Sequence, residues 1–174
     1  MRNRQQRLAD FKVDLLTKSN ENALTGETFD TEIVQLQSRD NKLIVKTEWQ
    51  FDWKKELRYP SKEVYKLSTV NNAAIIHGLL SIEDKGDHIF MHLVESAKFN
   101  KGKNKAYLGV PGNLVAFACK QLMERSYDGY VAFESKTVLI EHYKKTLGAI
   151  HLRGQRMYID DNAAKRLIDQ YFKK

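Results

Sequence analysis

Cysteine and proline are nearly absent from this 174-residue chain: Cys119 is its only cysteine, and Pro60 and Pro111 are its only prolines. A single thiol excludes an intramolecular disulfide framework and every metal motif built on paired cysteines. Long hydrophobic runs are missing too. None approaches the ~20 residues that cross a bilayer, and the basic start MRNRQQRLAD has no apolar stretch behind it. Neither a membrane partner nor a secretory signal is therefore expected, and the expectation is a cytoplasmic protein. Neither a GxxxxGK(S/T) P-loop nor a GxGxxG dinucleotide fingerprint occurs. Repeats, low-complexity tracts and Ser/Gly linkers are absent as well. Residues 1–174 thus read as one domain, with residues 1–10 as a basic arm that is frayed or briefly helical.

What the chain does have is an excess of one charge. Its 29 Lys and Arg against 22 Asp and Glu give +7, which favours an anionic partner: nucleic acid, a membrane surface or a phosphorylated cofactor. At 42% hydrophobic and 29% charged, the composition is that of a folded globular protein rather than a disordered one.

Phe11, Val13 and Leu15 alternate with Lys12, Asp14 and Leu16, which predicts a first strand, and Thr31–Gln37 alternates in the same way. Ser38-Arg39-Asp40 is placed to open a helix carrying Leu43, Ile44 and Val45. Trp49, Phe51 and Trp53 form an aromatic cluster that packs a long connection against the core or, alternatively, takes a binding role. Val64–Val70, Ala73–Ile82 and His88–Glu95, separated by turn residues, read as an antiparallel meander. Asn113–Tyr127 has the wide apolar face of a buried helix. Tyr130–Glu134 is a short strand, and Thr137–Leu147 is a helix closed by Gly148. Ile150–Ile159 supplies one strand or two short ones, and Asp161 or Asn162 caps a last helix. Such an order makes an α+β or mixed α/β sheet with helices packed on it.

The most informative stretch is 95–118, ESAKFNKGKNKAYLGVPGNLVAFA. A strand ends, a Lys-rich loop follows, and Gly109 and Gly112 bracket the start of an apolar helix. First-turn N–H groups lack intrahelical partners and the helix dipole adds partial positive charge, so an anion is favoured there. Glycines let a phosphate approach the backbone, while Lys98, Lys101, Lys103 and Lys105 supply charge nearby. The plain alternative is a flexible connection with solvated lysines.

The run Ala106-Tyr107-Leu108-Gly109-Val110-Pro111, followed by Gly112, Asn113 and Leu114-Val115, resembles a known pyrophosphate motif. It is the (Q/R)-x-x-G-x-(G/A) motif of the GNAT superfamily of acyl-CoA-dependent N-acyltransferases. Leu139–Ala149, LIEHYKKTLGA, resembles that family's later helix with its FYxxxGF-type pattern. His142 stands at the Phe, Tyr143 at the Tyr, Gly148 at the Gly and Ala149 at the last Phe. Ala106 departs from the Arg or Gln, with Lys105 as a partial substitute, and Pro111 lacks an N–H at a small-residue position. The resemblance covers about residues 64–160.

That resemblance implies an α/β (α+β) fold with a central mixed, mostly antiparallel sheet flanked by helices. It implies transfer of an acetyl or other acyl group from acetyl-CoA (coenzyme A) directly to an amine acceptor, a small molecule or a protein. It places the pantetheine arm on the backbone near Val94. The pyrophosphate falls to Gly109, Val110, Gly112, Asn113 and Leu114, with Lys105 beside them. Tyr143 becomes the candidate acid for the departing thiolate; its alternative is a core aromatic in a stripe with Leu139, Ile140 and Leu147. Glu95 is the candidate base for the incoming ammonium; its alternative is to cap a turn or pair with a lysine.

No metal is expected. His88 and His92, four apart on a strand face shared with Phe90 and Val94, lie roughly 13 Å apart, too far for one ion. Asn100 orients the loop or binds substrate, or else occupies a plain turn, and Cys119 is a buried inert thiol. Two other readings compete. One is a nucleic-acid-binding accessory protein using Arg2, Arg4, Arg7 and the Lys loop, disfavoured because no such motif is visible. The other is a catalytically degenerate CoA-binding sensor, supported by Ala106 and Pro111. The sequence also permits a homodimer.

Overall fold

A computed structural model describes residues 8–14, 19–102 and 104–172. Arg2, Arg4, Arg7, Leu15, Leu16 and Lys103 lie outside the described residues. The strands are β1 (Ser19–Asn22), β2 (Thr28–Leu36), β3 (Lys62–Thr69), β4 (Gly78–Asp84), β5 (Ile89–Ser96), β6 (Tyr107–Leu108), β7 (Val131–Glu134), β8 (Ile150–Arg153) and β9 (Arg156–Ile159). The helices among the described residues are α1 (Trp53–Glu56), α2 (Val110–Glu124), α3 (Ile140–Leu147) and α4 (Asp161–Phe172). None is long and apolar enough to cross a membrane.

Short polar turns organise the centre of the sheet. Asp84 Oδ1 accepts from the Gly86 N–H at 2.8 Å, closing the turn that joins β4 to β5. β2, β3, β4 and β5 follow as the expected antiparallel meander. The whole sheet runs β6-β1-β2-β3-β4-β5-β7-β9-β8, and β5 with β7 is a parallel pair. A mixed, mostly antiparallel α/β sheet flanked by helices is thus the observed architecture.

Several boundaries differ from the periodicity. Phe11 and Val13 are buried without joining a strand, and within residues 8–14 the bridge to the sheet is the isolated one between Ala9 and Ser135. Ser38–Leu43 is a 3-10 turn with no buried residue, and Ile44 enters the core only after it. Within the apolar run Ala73–Ile82, the ladder begins at Gly78. Helix α2 starts at Val110, three residues before Asn113, because Gly109 takes φ +95° and turns the chain into the helix. Residues 150–159 form two strands, and Asp160, rather than Asp161 or Asn162, caps α4 by accepting the Ala163 N–H at 2.9 Å.

Both faces of the sheet are covered. One core joins Tyr65, Leu80, Ile82, Met91, Val94 and Phe133 to the apolar faces of α2, α3 and α4. Leu114, Val115 and Leu122 are buried there, each worth roughly 1.5–3 kcal/mol of removal from water. The second core is the aromatic cluster: Trp49, Phe51 and Trp53 pack with Leu36, Ile44, Val64, Leu79 and Leu93. All three rings are buried in that core, and Trp49 also borders a cavity of about 490 Å³ with Leu43, Val45, Ile75 and Phe99. At the far end of α2, Arg125 binds Glu63 of β3 at 2.7 Å and Asp84 of β4 at 2.9 Å, tying the helix to the sheet.

Candidate functional site

β5 and β7 pair only through Ile89 with Val131 and Phe90 with Ala132. On its other side β5 carries a bulge, where Met91 pairs with Ile82, Leu93 pairs with Ser81, and His92 is the extra residue. A bulge shifts the inside–outside alternation by one. Met91 and Val94 therefore both face the α2 core, whereas Leu93 faces the aromatic one. This corrects the expectation that His92 and Val94 share a face. His92 binds Glu83 at 2.8 Å instead, and His88 binds Asp87 at 2.7 Å.

Segment 8–14 lies in the wedge that these strands leave. The Ala9 N–H donates to Glu134 O at 2.8 Å, and the Lys136 N–H donates to Ala9 O at 3.1 Å. Leu8, Ala9 and Phe11 share a small cavity wall with Met91, His92, Leu93 and Val94. The Tyr143 hydroxyl donates to Phe11 O at 2.6 Å, with the two rings 4.8 Å apart. Tyr143 is 0% exposed, and burial pushes its pKa up, so the hydroxyl holds its proton. One residue earlier in α3, His142 Nε2 accepts the Val13 N–H at 2.9 Å. That role needs a neutral ring; burial, then Lys12 and Lys145, hold the His142 pKa below the ordinary histidine range.

At the start of α2 the Gly109 N–H donates to Asp14 Oδ1 at 3.0 Å, and Lys105 Nζ reaches Asp14 Oδ2 at 2.9 Å. The glycine–lysine pair read from the sequence as an anion site thus holds an anion: a carboxylate of the same chain. Asn113 Nδ2 donates back to Gly109 O at 2.6 Å and braces the turn. Gly112 is small for another reason. A Cβ there would overlap the Tyr171 ring and hydroxyl of α4. The lysines do not act as a cluster among the described residues: Lys98 binds Thr47 O at 2.6 Å and Lys101 binds Glu95 at 2.9 Å, leaving Lys105 beside the loop.

Glu95, 2% exposed, is surrounded by donors. Its Oε1 accepts from the Phe51 N–H at 3.1 Å and from Trp53 Nε1 at 2.8 Å, and its Oε2 from the Gln50 N–H at 2.7 Å and from Lys101. Asn100 orients the loop: its Oδ1 accepts the Tyr107 N–H at 3.0 Å, and its Nδ2 meets His77 Nδ1 at 3.1 Å. A cavity of about 460 Å³ opens at this junction, lined by Phe11, Asp14, Val94, Glu95, Lys101 and Lys105 among others. The structure therefore gathers Val94, Glu95 and Lys105 at one cavity. Gly109 meets it through Asp14, and Tyr143 through Phe11. Asp14 was not foreseen, because the matched motifs begin about residue 64 and its only sequence signal was an acid in an alternating run.

No protein-family model matches the sequence, and no curated protein does. Solved structures match instead. A crystal structure of AtaTR bound with AcCoA aligns at 15% identity over 79% of this chain and 98% of its own, with a TM-score of 0.54. The spermidine/spermine N-acetyltransferase SpeG from Vibrio cholerae aligns at 13% identity over 78% and 96%, with a TM-score of 0.52. A ribosomal-protein-alanine N-acetyltransferase from Brucella melitensis aligns at 14% identity over 71% and 96%, also with a TM-score of 0.52. At such identities the likeness establishes the fold.

Proposed function

From the GNAT fold as premise, we propose that this chain transfers an acetyl or other acyl group from an acyl-CoA to an amine. The observation that supports it is the anion held by the Gly109 N–H and Lys105 at the mouth of a wedge between two splayed parallel strands. In this reading the pantetheine arm lies along β5 near Val94, and the pyrophosphate takes the place of the Asp14 carboxylate. Val110, Asn113 and Leu114 belong to the turn that presents the Gly109 N–H, and Gly112 lets α4 pack over it. Tyr143, protonated and pointing at the wedge, is the acid for the departing thiolate. Glu95 already accepts from four donors, which occupy both of its carboxylate oxygens. We assign it the task of fixing the Gln50–Trp53 turn at the cavity wall, in place of the base role expected from sequence. The acceptor is a neutral amine reaching the cavity from its open side, and the proton its nitrogen loses on acylation restores the Tyr143 hydroxyl spent on the thiolate.

Acetyl-CoA should raise the melting temperature, since a ligand bound only by the native state stabilises it. An amine library should then reveal acyl transfer. In Tyr143→Phe the turnover number should fall roughly 100-fold, the usual worth of a positioned acid, with acetyl-CoA affinity not weakened. In Glu95→Gln the acid limb of the pH–rate profile should stay in place; its loss would return Glu95 to the base role. No melting shift with millimolar acetyl-CoA or longer acyl-CoAs would sink the proposal.

A further inference from the structure

Resting on the acyl-CoA reading above, we infer that residues 8–14 are an intramolecular inhibitor of the cofactor cleft. Asp14 stands in for the pyrophosphate, and Phe11 blocks the reactive end. Contacts made by four of the seven residues support this. Asp14 uses the donors that a phosphate oxygen would need, the Gly109 N–H and Lys105. Phe11 O accepts the hydrogen bond of the Tyr143 hydroxyl, and its ring packs on that of Tyr143. Val13 N–H is held by His142, and Ala9 is held by the end of β7. Phe11 and Asp14 line the same cavity as Val94, Lys105 and Pro111, so a ligand filling that cavity competes with residues 8–14 for the strand and the turn.

The segment is fastened without being woven in. Its contact with the sheet is one isolated bridge, Ala9 with Ser135, where a permanent strand would carry a ladder. Its other anchors are the Asp10–Lys136 ion pair, the bonds to His142, Tyr143, Lys105 and the Gly109 N–H, and the burial of Leu8, Phe11 and Val13. A ligand competing with such a segment binds with its affinity reduced by the fraction of molecules that are open. The device therefore sets the acyl-CoA concentration at which the cleft fills. Asp14 carries the electrostatic part, because its charge-assisted bonds are the contacts a pyrophosphate would replace one for one.

The test is calorimetric titration of coenzyme A into the wild-type chain, Asp14→Ala and Asp14→Asn, with folding of each variant checked by its unfolding midpoint. Asp14→Ala should bind roughly tenfold more tightly, in line with the loss of a charge-assisted bond, and Asp14→Asn should fall between the two. A variant-free arm follows hydrogen exchange in the wild type. Saturating coenzyme A should speed exchange at the Ala9 and Val13 amides while leaving β3 and β4 protected. Equal affinities in all three chains, or coenzyme A bound with Ala9 and Val13 still protected, overturns the inhibitor and leaves the acyl-CoA reading standing. No binding by any of the three chains removes that reading, and the inhibitor with it.

Discussion

His77 shows how one side chain becomes a pH liability. It is 2% exposed, between the edges of the Phe99 and Tyr107 rings, and burial pushes its pKa down to about 4. Above pH 6.5 the folded and unfolded chains both hold it neutral, and its contribution to stability is complete. As the pH falls from 6.5 toward 4, only the unfolded chain takes up the proton. Stability then drains by about 1.4 kcal/mol per unit, on the order of 3 kcal/mol in all. Urea unfolding at pH 7 and pH 5 should show this slope in the wild type and a clearly shallower one in His77→Phe; equal slopes would mean that His77 is not the titrating group. Glu95 serves the fold in another way: the Phe51 amide and the Trp53 indole from which it accepts are buried groups that would otherwise lack an acceptor.

At the scale of elements, the start of α2 separates two uses of glycine. Gly109 adopts a left-handed conformation and offers its N–H to an anion, whereas Gly112 makes room for Tyr171. Alanine is the better helix former by about 1 kcal/mol, so propensity alone predicts that Gly112→Ala stabilises. Overpacking against the Tyr171 ring should prevail and cost roughly 1–3 kcal/mol net. Thermal unfolding can check this, because in a Tyr171→Ala background the same substitution should cost nothing. Element order was readable where periodicity and turn residues agreed: the meander from Val64 to Glu95, both main helices, and Gly148 at the end of α3. The helix start at Val110 was shifted because a left-handed glycine, invisible to hydrophobic pattern, decides it. The bulge at His92 was also hidden, since one extra residue leaves each local alternation intact and only flips the later half. Gly109 and Lys105 were legible as an anion site from charge and spacing. Their partner Asp14 was not, because a contact across 95 residues leaves no local trace.

For the whole molecule, the consequence lies with the thiol that is alone in the chain. Cys119 is 0% exposed in α2, and burial pushes its pKa up to about 12, so neither access nor thiolate is available in the folded state. Each molecule therefore carries one silent reporter at the centre of its larger core. Under rapid labelling, a thiol reagent should modify Cys119 no faster than the structure opens, turning the cysteine into a clock for that event. In Asp14→Ala the clock should run at the wild-type rate if residues 8–14 leave the wedge as a local flap, and faster if their departure loosens the core around α2. Mass spectrometry of the labelled chain reads the difference directly. A residue with no part in the proposed chemistry thus times how far a disturbance at the cleft spreads.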